Sequence, residues 1–253
     1  MLNDDIIFNI SLKVVTAWGC GWAVFGFVCC VVLSILLHFQ ESTKTHCMVP
    51  NFLPSISAAV GDNTPERYIW RICICLHVAP RFLVAICYKN FYLTSPLKPR
   101  FAGEEYAWFC WIVALFQFGE NVALILLTYV ASIENKYLHQ LSFVMFIAFS
   151  FFYMIATLVM FNHSGRRRSA SIGEKSFQIK SVLFLLSLSA FLLCLYFFHR
   201  HNAYCEPGIY SLFASFEYVV VLSNIAFHAT VIYDMGDKSL AVISMLPTDW
   251  KVS

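Results

Sequence analysis

The sequence predicts an all-α protein: one polytopic membrane domain over residues 1–253, built as a bundle of six transmembrane helices with both termini cytoplasmic. Three observations carry this prediction. The chain is 59% hydrophobic and only 13% charged, where soluble proteins carry about 25% charged residues. Its apolar residues fall into six runs, each near the ~20 residues that a helix needs to cross a bilayer. Lys and Arg are unevenly shared between alternate connections, which sets orientation.

The apolar runs cover about residues 14–37, 68–92, 106–130, 138–161, 181–198 and 209–233. The first exceeds the apolar core of a signal peptide and has no small-residue cleavage site after it, so it reads as a retained span. The connections at 38–67, 131–137 and 199–208 then share one side of the membrane. Lys13, Lys98, Arg100, Arg166, Arg167, Arg168, Lys175, Lys180, Lys238 and Lys251 fall on the other side, ten residues against Lys44, Arg67, Lys136 and Arg200. The richer side is cytoplasmic and the three connections lumenal or exterior. The arginines at 166–168 read as topology determinants touching anionic lipid, with Ser169 as a kinase-readable alternative. A net charge of +2 and the lack of a long basic tract argue against a nucleic-acid partner.

Of the ten cysteines, only Cys47 and Cys205 fall in connections, both on the lumenal side. An oxidising compartment allows them to pair; two unrelated thiols are the alternative. The other eight read as packing residues within spans. Cys73 and Cys75 point to divergent helix faces, so no zinc site is read there, and neither a metal nor a bound cofactor is expected.

The spans carry polar residues that are costly in lipid and therefore face protein or a wet cavity. The second holds Arg71, His77 and Arg81, with Pro80 predicting a kink beside them. The third holds Gln117, Glu120, Asn121 and Thr128 along one stripe, and the sixth holds Glu217, Asn224 and His228. Antiparallel order brings Arg81 level with Glu120, predicting an ion pair. It brings Glu217 level with Arg71 and His77, predicting a pairing with one of them and a cavity lined by all three. These residues either hold the bundle together or do chemistry. A histidine beside a carboxylate is the arrangement of a general base and its orienting partner, which makes His77 and Glu217 catalytic candidates. The segment HRHNAYCE adds His199, Arg200, His201, Asn202 and Glu206 at the lumenal rim. Its H-x4-E spacing is similar to the H-x4-D box of glycerolipid acyltransferases, but with Glu for Asp and on the opposite side, a chance match unless geometry says otherwise. No soluble-enzyme motif occurs.

The stretches HFQESTKTHCMVPNFLPSISAAVG, PERYIWRICICLHVAPRFLVA, GENVALILLTYVASIE and RHNAYCEPGIYSLFASFEYVVVLSNIAFHATVIYDMGDK closely resemble the post-GPI-attachment-to-proteins factor two family, within the Frag/DRAM/Sfk group of polytopic membrane proteins. The resemblance covers nearly the whole chain and is weakest around 96–107 and 162–180. It implies a multi-pass protein of the Golgi membrane, with the endoplasmic reticulum as the other compartment. The implied role is remodelling of GPI anchors: a lyso-GPI intermediate is reacylated at the sn-2 position with a saturated chain, which favours raft association. Implied partners are lyso-GPI-anchored proteins, membrane lipids and GPI-remodelling proteins; the acyl donor, acyl-CoA or phospholipid, is left open. The alternative is a non-catalytic lipid-binding or scaffolding protein that presents lyso-GPI to another enzyme.

No catalytic residue carries over with the resemblance, so the roles rest on the residues themselves. His77, Glu217 and His201 are the catalytic candidates. Arg67, Arg71 and Arg200 suit a phosphate clamp. Asn202, Arg71 and Arg81 suit oxyanion donation, and Glu120, Asn224 and His228 complete the substrate-binding set.

Overall fold

A computed structural model describes residues 6–61, 63–95 and 104–243. Among the described residues, six helices are long and apolar enough to cross a membrane. They are α1 (Leu12–Leu37), α4 (Glu66–Leu93), α5 (Glu104–Tyr129), α6 (Lys136–His163), α7 (Ser171–Tyr204) and α8 (Ile209–Ala229), the last extended by the short α9 (Val231–Met235). Two short helices, α2 (Phe39–Ser42) and α3 (Ile56–Gly61), lie in the first long connection. Each span packs on the next in sequence, and α8 closes back on α1, so the six form a ring. Helices joined by short connections are antiparallel neighbours, and six of them close without a long crossover.

Small residues set the closest seam of the ring. The buried stripe of α1 includes Gly19, Ala23, Gly26 and Cys30, and α1 lies against α4. A Cβ on Gly26 would sit 2.6 Å from Cys73 Cβ, and one on Gly19 3.0 Å from Pro80 Cγ. Small side chains that let backbones approach are the usual basis of helix packing in lipid. Helix α4 runs through Pro80 from Glu66 to Leu93.

Three features differ from the sequence expectation. A two-stranded antiparallel ribbon, β1 (Ile6–Ser11) with β2 (Ser239–Ile243), joins the first and last described segments and adds to the predicted all-α bundle. Alternation in these polar-flanked segments is too short to read as strand without its distant partner. The fifth span begins ten residues before the predicted 181 and ends at Tyr204. Its polar first turns stay helical because Lys180, predicted as a cytoplasmic loop charge, is fully buried against Asp234. Finally, Arg166 turns inward: it donates to the Phe91 carbonyl (2.8 Å) and Ser95 Oγ (3.0 Å) and lies over the Phe91 ring. It thus ties the α6–α7 connection to the end of α4 and satisfies carbonyls that a helix end leaves open. Lys98, Arg100 and Lys251, which enter the charge comparison, lie outside the described residues.

Candidate functional site

The ring encloses two polar assemblies of different character. The first is a buried network at mid-span. Arg81 on α4 meets Glu120 on α5 at 3.0 Å, the pairing that antiparallel order predicts. Glu120 also accepts from Asn224 Nδ2 on α8 (2.8 Å), and Asn224 donates to Ser150 on α6 (2.7 Å). Arg81 donates through Nη1 to His77 Nε2 (3.1 Å) and through Nη2 to His228 Nε2 (2.5 Å). A guanidinium only donates, so His77 accepts through Nε2 and carries its proton on Nδ1. His228 Nε2 also lies 3.1 Å from both carboxylate oxygens of Glu120, so it sits between the guanidinium and the carboxylate. His77 spends that proton on the Gly19 carbonyl of α1 (3.0 Å). His228 stacks on Tyr153, ring centroids 5.0 Å apart. His77, Arg81, Glu120, Asn224 and His228 are all buried. The network draws on α1, α4, α5, α6 and α8, and its charges neutralise one another, which is what charges at membrane depth require.

The second assembly is a cavity of about 90 Å³ towards the end of the ring that carries the first long connection. Its wall is apolar, from residues such as Trp70, Leu124, Phe146 and Phe213, with a few polar groups converging on it: Ser57, Thr128, His139, Glu217, Asn224 and one edge of His77. Helix α3 contributes Ile56, Ser57 and Val60 to that wall, so the first long connection dips into the ring and lids it. Ligand pockets have this composition, a largely apolar surface with few placed polar groups.

The lid is stitched to α8 and α7. Cys47 and Cys205 form a disulfide with Cα atoms 5.3 Å apart. The Gly208 N–H donates to the Pro50 carbonyl (2.9 Å). Ser211 Oγ accepts from the N–H groups of Phe52 (2.8 Å) and Leu53 (3.1 Å). Tyr218 donates to the Pro54 carbonyl (2.6 Å), and Glu217 Oε2 accepts from the Ile56 N–H (2.8 Å). These contacts satisfy the backbone of an extended segment that could not otherwise be buried. On the far wall, His139 Nδ1 lies 2.7 Å from the Val130 carbonyl, and its Nε2 lies 3.0 Å from Ser57 Oγ. A carbonyl only accepts, so Nδ1 holds the proton and Nε2 accepts from the Ser57 hydroxyl.

Several sequence expectations change. Glu217 pairs with neither Arg71 nor His77, because the Ile56 N–H occupies its carboxylate. It does share the cavity with His77, but Arg71 lies outside it. Arg71 instead donates to the Tyr129 carbonyl (2.9 Å) and faces Glu134 at 3.6 Å. Arg67 donates Nε–H to the Gly61 carbonyl (2.6 Å). Arg200 pairs with Glu206 (2.7 Å), so Glu206 is not the partner of His201 and the H-x4-E match has no geometric basis. His201 is buried against the rings of His46 and Tyr210, and Asn202 is exposed.

Ser57 and His139 were invisible as a pair because they lie 82 residues apart; the only sequence signal is a histidine at the edge of an apolar run. Lys180 and Asp234 form a further buried cluster with Ser176 and Tyr88, equally silent in the sequence.

Six membrane-length helices closed around an apolar, sparsely polar cavity define a polytopic helical membrane protein with an internal cavity. Residues 11–238 match the model of the Frag1/DRAM/Sfk1/Cwh43P N-terminal domain, and the chain belongs to that family. It is 43% identical over 247 residues to a Caenorhabditis briggsae protein called Post-GPI attachment to proteins factor 2, covering 96% of this chain and 92% of the relative. It is 45% identical over 239 residues to a Xenopus tropicalis protein called Acyltransferase PGAP2, covering 94% and 93%. A Drosophila melanogaster protein called Post-GPI attachment to proteins factor 2 is 39% identical over 230 residues, covering 91% and 88%. No solved structure matches the chain.

Proposed function

We propose that this protein is an acyltransferase of GPI-anchor remodelling, which reacylates a lyso-GPI intermediate at the sn-2 position with a saturated chain. The names of its relatives support the pathway. The observation that carries the chemistry is the lidded apolar cavity, whose polar groups are confined to a few points of its wall. A cavity of about 90 Å³ takes the ester end of a fatty acyl chain rather than its whole length, and acyl transfer needs a base and hydrogen-bond donors at that end.

In this reading the lidded end faces the Golgi lumen, where a GPI anchor resides, and both termini are cytoplasmic. The disulfide at that end and the Lys and Arg excess at the other both support the orientation. Arg67, Arg71 and Arg200 ring the same end and serve the substrate's phosphate and glycan. The Arg81–Glu120–His228–His77 network below holds the floor of the cavity. With both nitrogens of His77 engaged, its part is to position that floor.

The test uses cells lacking the endogenous protein. Re-expression of this chain should restore saturated sn-2 chains on GPI-anchored proteins, read by lipid mass spectrometry. Purified chain in vesicles should then transfer an acyl group to lyso-GPI. Restoration in cells without transfer by purified chain would favour the scaffolding role; no restoration at all would remove the protein from the pathway.

A further inference from the structure

We propose that Ser57 is the acyl-accepting nucleophile of this protein and His139 its general base, and that the acyl donor is an ester of a membrane glycerophospholipid. This rests on the acyl-transfer reading above and goes beyond it by assigning the reacting atoms and the donor class.

Three observations point to the pair. The first is orientation. A nucleophile's partner base works when a third group fixes its tautomer, and the Val130 carbonyl does this for His139 by taking Nδ1–H at 2.7 Å. Nε2 is left facing the Ser57 hydroxyl at 3.0 Å, within the reach that proton abstraction demands. The second is access. His77 touches the cavity but is buried with both ring nitrogens engaged, and His228 is buried outside the lining, whereas Ser57 and His139 are both only partly buried and both line the cavity. The third is the cavity itself. Among the described residues its lining includes no Lys or Arg, so no cation within it would hold the phosphates of a coenzyme A thioester, while the apolar wall suits a lipid chain. An ester already resident in the membrane matches this lining, whereas the polyanionic head of a soluble thioester would have to stay outside it.

The chemistry balances without a further reactant. His139 Nε2 takes the Ser57 proton as Oγ attacks the donor's ester carbonyl. The donor's C–O bond breaks, its alkoxide takes the proton from His139, and a lysophospholipid leaves behind an acyl ester on Ser57. The free hydroxyl of lyso-GPI then loses its proton to His139 and attacks that ester. Ser57 departs with the proton returned, and the new sn-2 ester leaves with the anchor.

The experiment uses full-length protein in vesicles containing lyso-GPI and a phosphatidylcholine with deuterated palmitoyl chains. Wild-type protein should transfer label to the anchor and, on rapid quenching in acid, carry a palmitoyl adduct on the Ser57 peptide. Ser57→Ala should lose the adduct and at least about 100-fold of the transfer rate, and His139→Gln should slow both adduct formation and transfer similarly. Ser57→Cys keeps the side-chain shape and should accumulate a hydroxylamine-sensitive thioester. It decides the matter if Ser57→Ala fails to accumulate: a thioester supports the nucleophile, and its absence overturns it. Transfer by Ser57→Ala within about threefold of wild type would overturn the dyad while leaving the acyltransferase reading intact. Transfer from palmitoyl-coenzyme A but not from phosphatidylcholine would overturn the donor class. No transfer by disulfide-intact wild type from either donor would overturn the acyltransferase reading itself.

Discussion

Asp234 holds the ammonium of Lys180 at 2.5 Å, with both side chains at zero solvent exposure. Ser176 and Tyr88 complete the cage by donating to the two carboxylate oxygens. The pair joins α7 to α9 near the end of the ring where the β1–β2 ribbon lies. Removing one member of a buried pair strands the other charge, which typically costs about 3–5 kcal/mol. Lys180→Met and Asp234→Asn should therefore each lower the unfolding temperature in detergent sharply. Lys180→Met combined with Asp234→Leu should recover much of that loss. A double variant as unstable as the sum of the single ones would show that the two charges do not compensate each other.

A second test addresses the α1–α4 seam. Gly26→Ala must push a methyl to within 2.6 Å of Cys73 Cβ, whereas a methyl at Gly21 meets nothing within 4 Å. Overpacking of this kind costs about 1–3 kcal/mol. Thermal unfolding should rank Gly26→Ala well below wild type and Gly21→Ala level with it. Equal behaviour of the two variants would mean that the seam relaxes freely.

The ring and its central ion pair are legible in the sequence because lipid is an unforgiving solvent. An apolar run of sufficient length has one fate, and Arg81 and Glu120 at equal depth on adjacent antiparallel spans have little choice but to meet. Loop geometry carries no such constraint. Glu217 finds a backbone N–H from the lid that no periodicity predicts, so its expected histidine partner goes elsewhere. Lys180 reads as a loop charge because only its partner, 54 residues away, permits burial. Ser57 and His139 meet only because the first connection folds back into the ring, and that fold-back is set by contacts from α7 and α8.

Orientation is tested from both ends of the chain. Epitope tags at Met1 and Ser253 should both be cut by protease when only the plasma membrane is permeabilised. A cysteine-reactive, membrane-impermeant maleimide should not label Cys47 or Cys205 in the same cells unless a reductant and a detergent are added, because in the proposed orientation the disulfide that joins them lies on the far side. Protection of either tag would reverse or break the six-span topology.

Glu217 offers a separation between charge and hydrogen bonding. Its Oε2 accepts the Ile56 N–H at 2.8 Å, at the start of the lid helix that carries Ser57. Glu217→Gln retains an amide oxygen that can accept the same bond, so lid position and transfer activity should stay within a fewfold of wild type. Glu217→Ala leaves the Ile56 N–H without its partner, a loss of about 1–3 kcal/mol for a buried donor. The lid should then open more often, and hydrogen exchange should rise across 52–60 while the rest of the ring stays protected. Activity should fall with it, because Ser57 drifts from His139 when α3 loosens, and a displacement near 1 Å is enough to cost about 100-fold in rate. If Glu217→Gln proved as inactive as Glu217→Ala while its lid stayed protected, the carboxylate would have a role in proton transfer and Glu217 would move from anchoring the lid into the reaction.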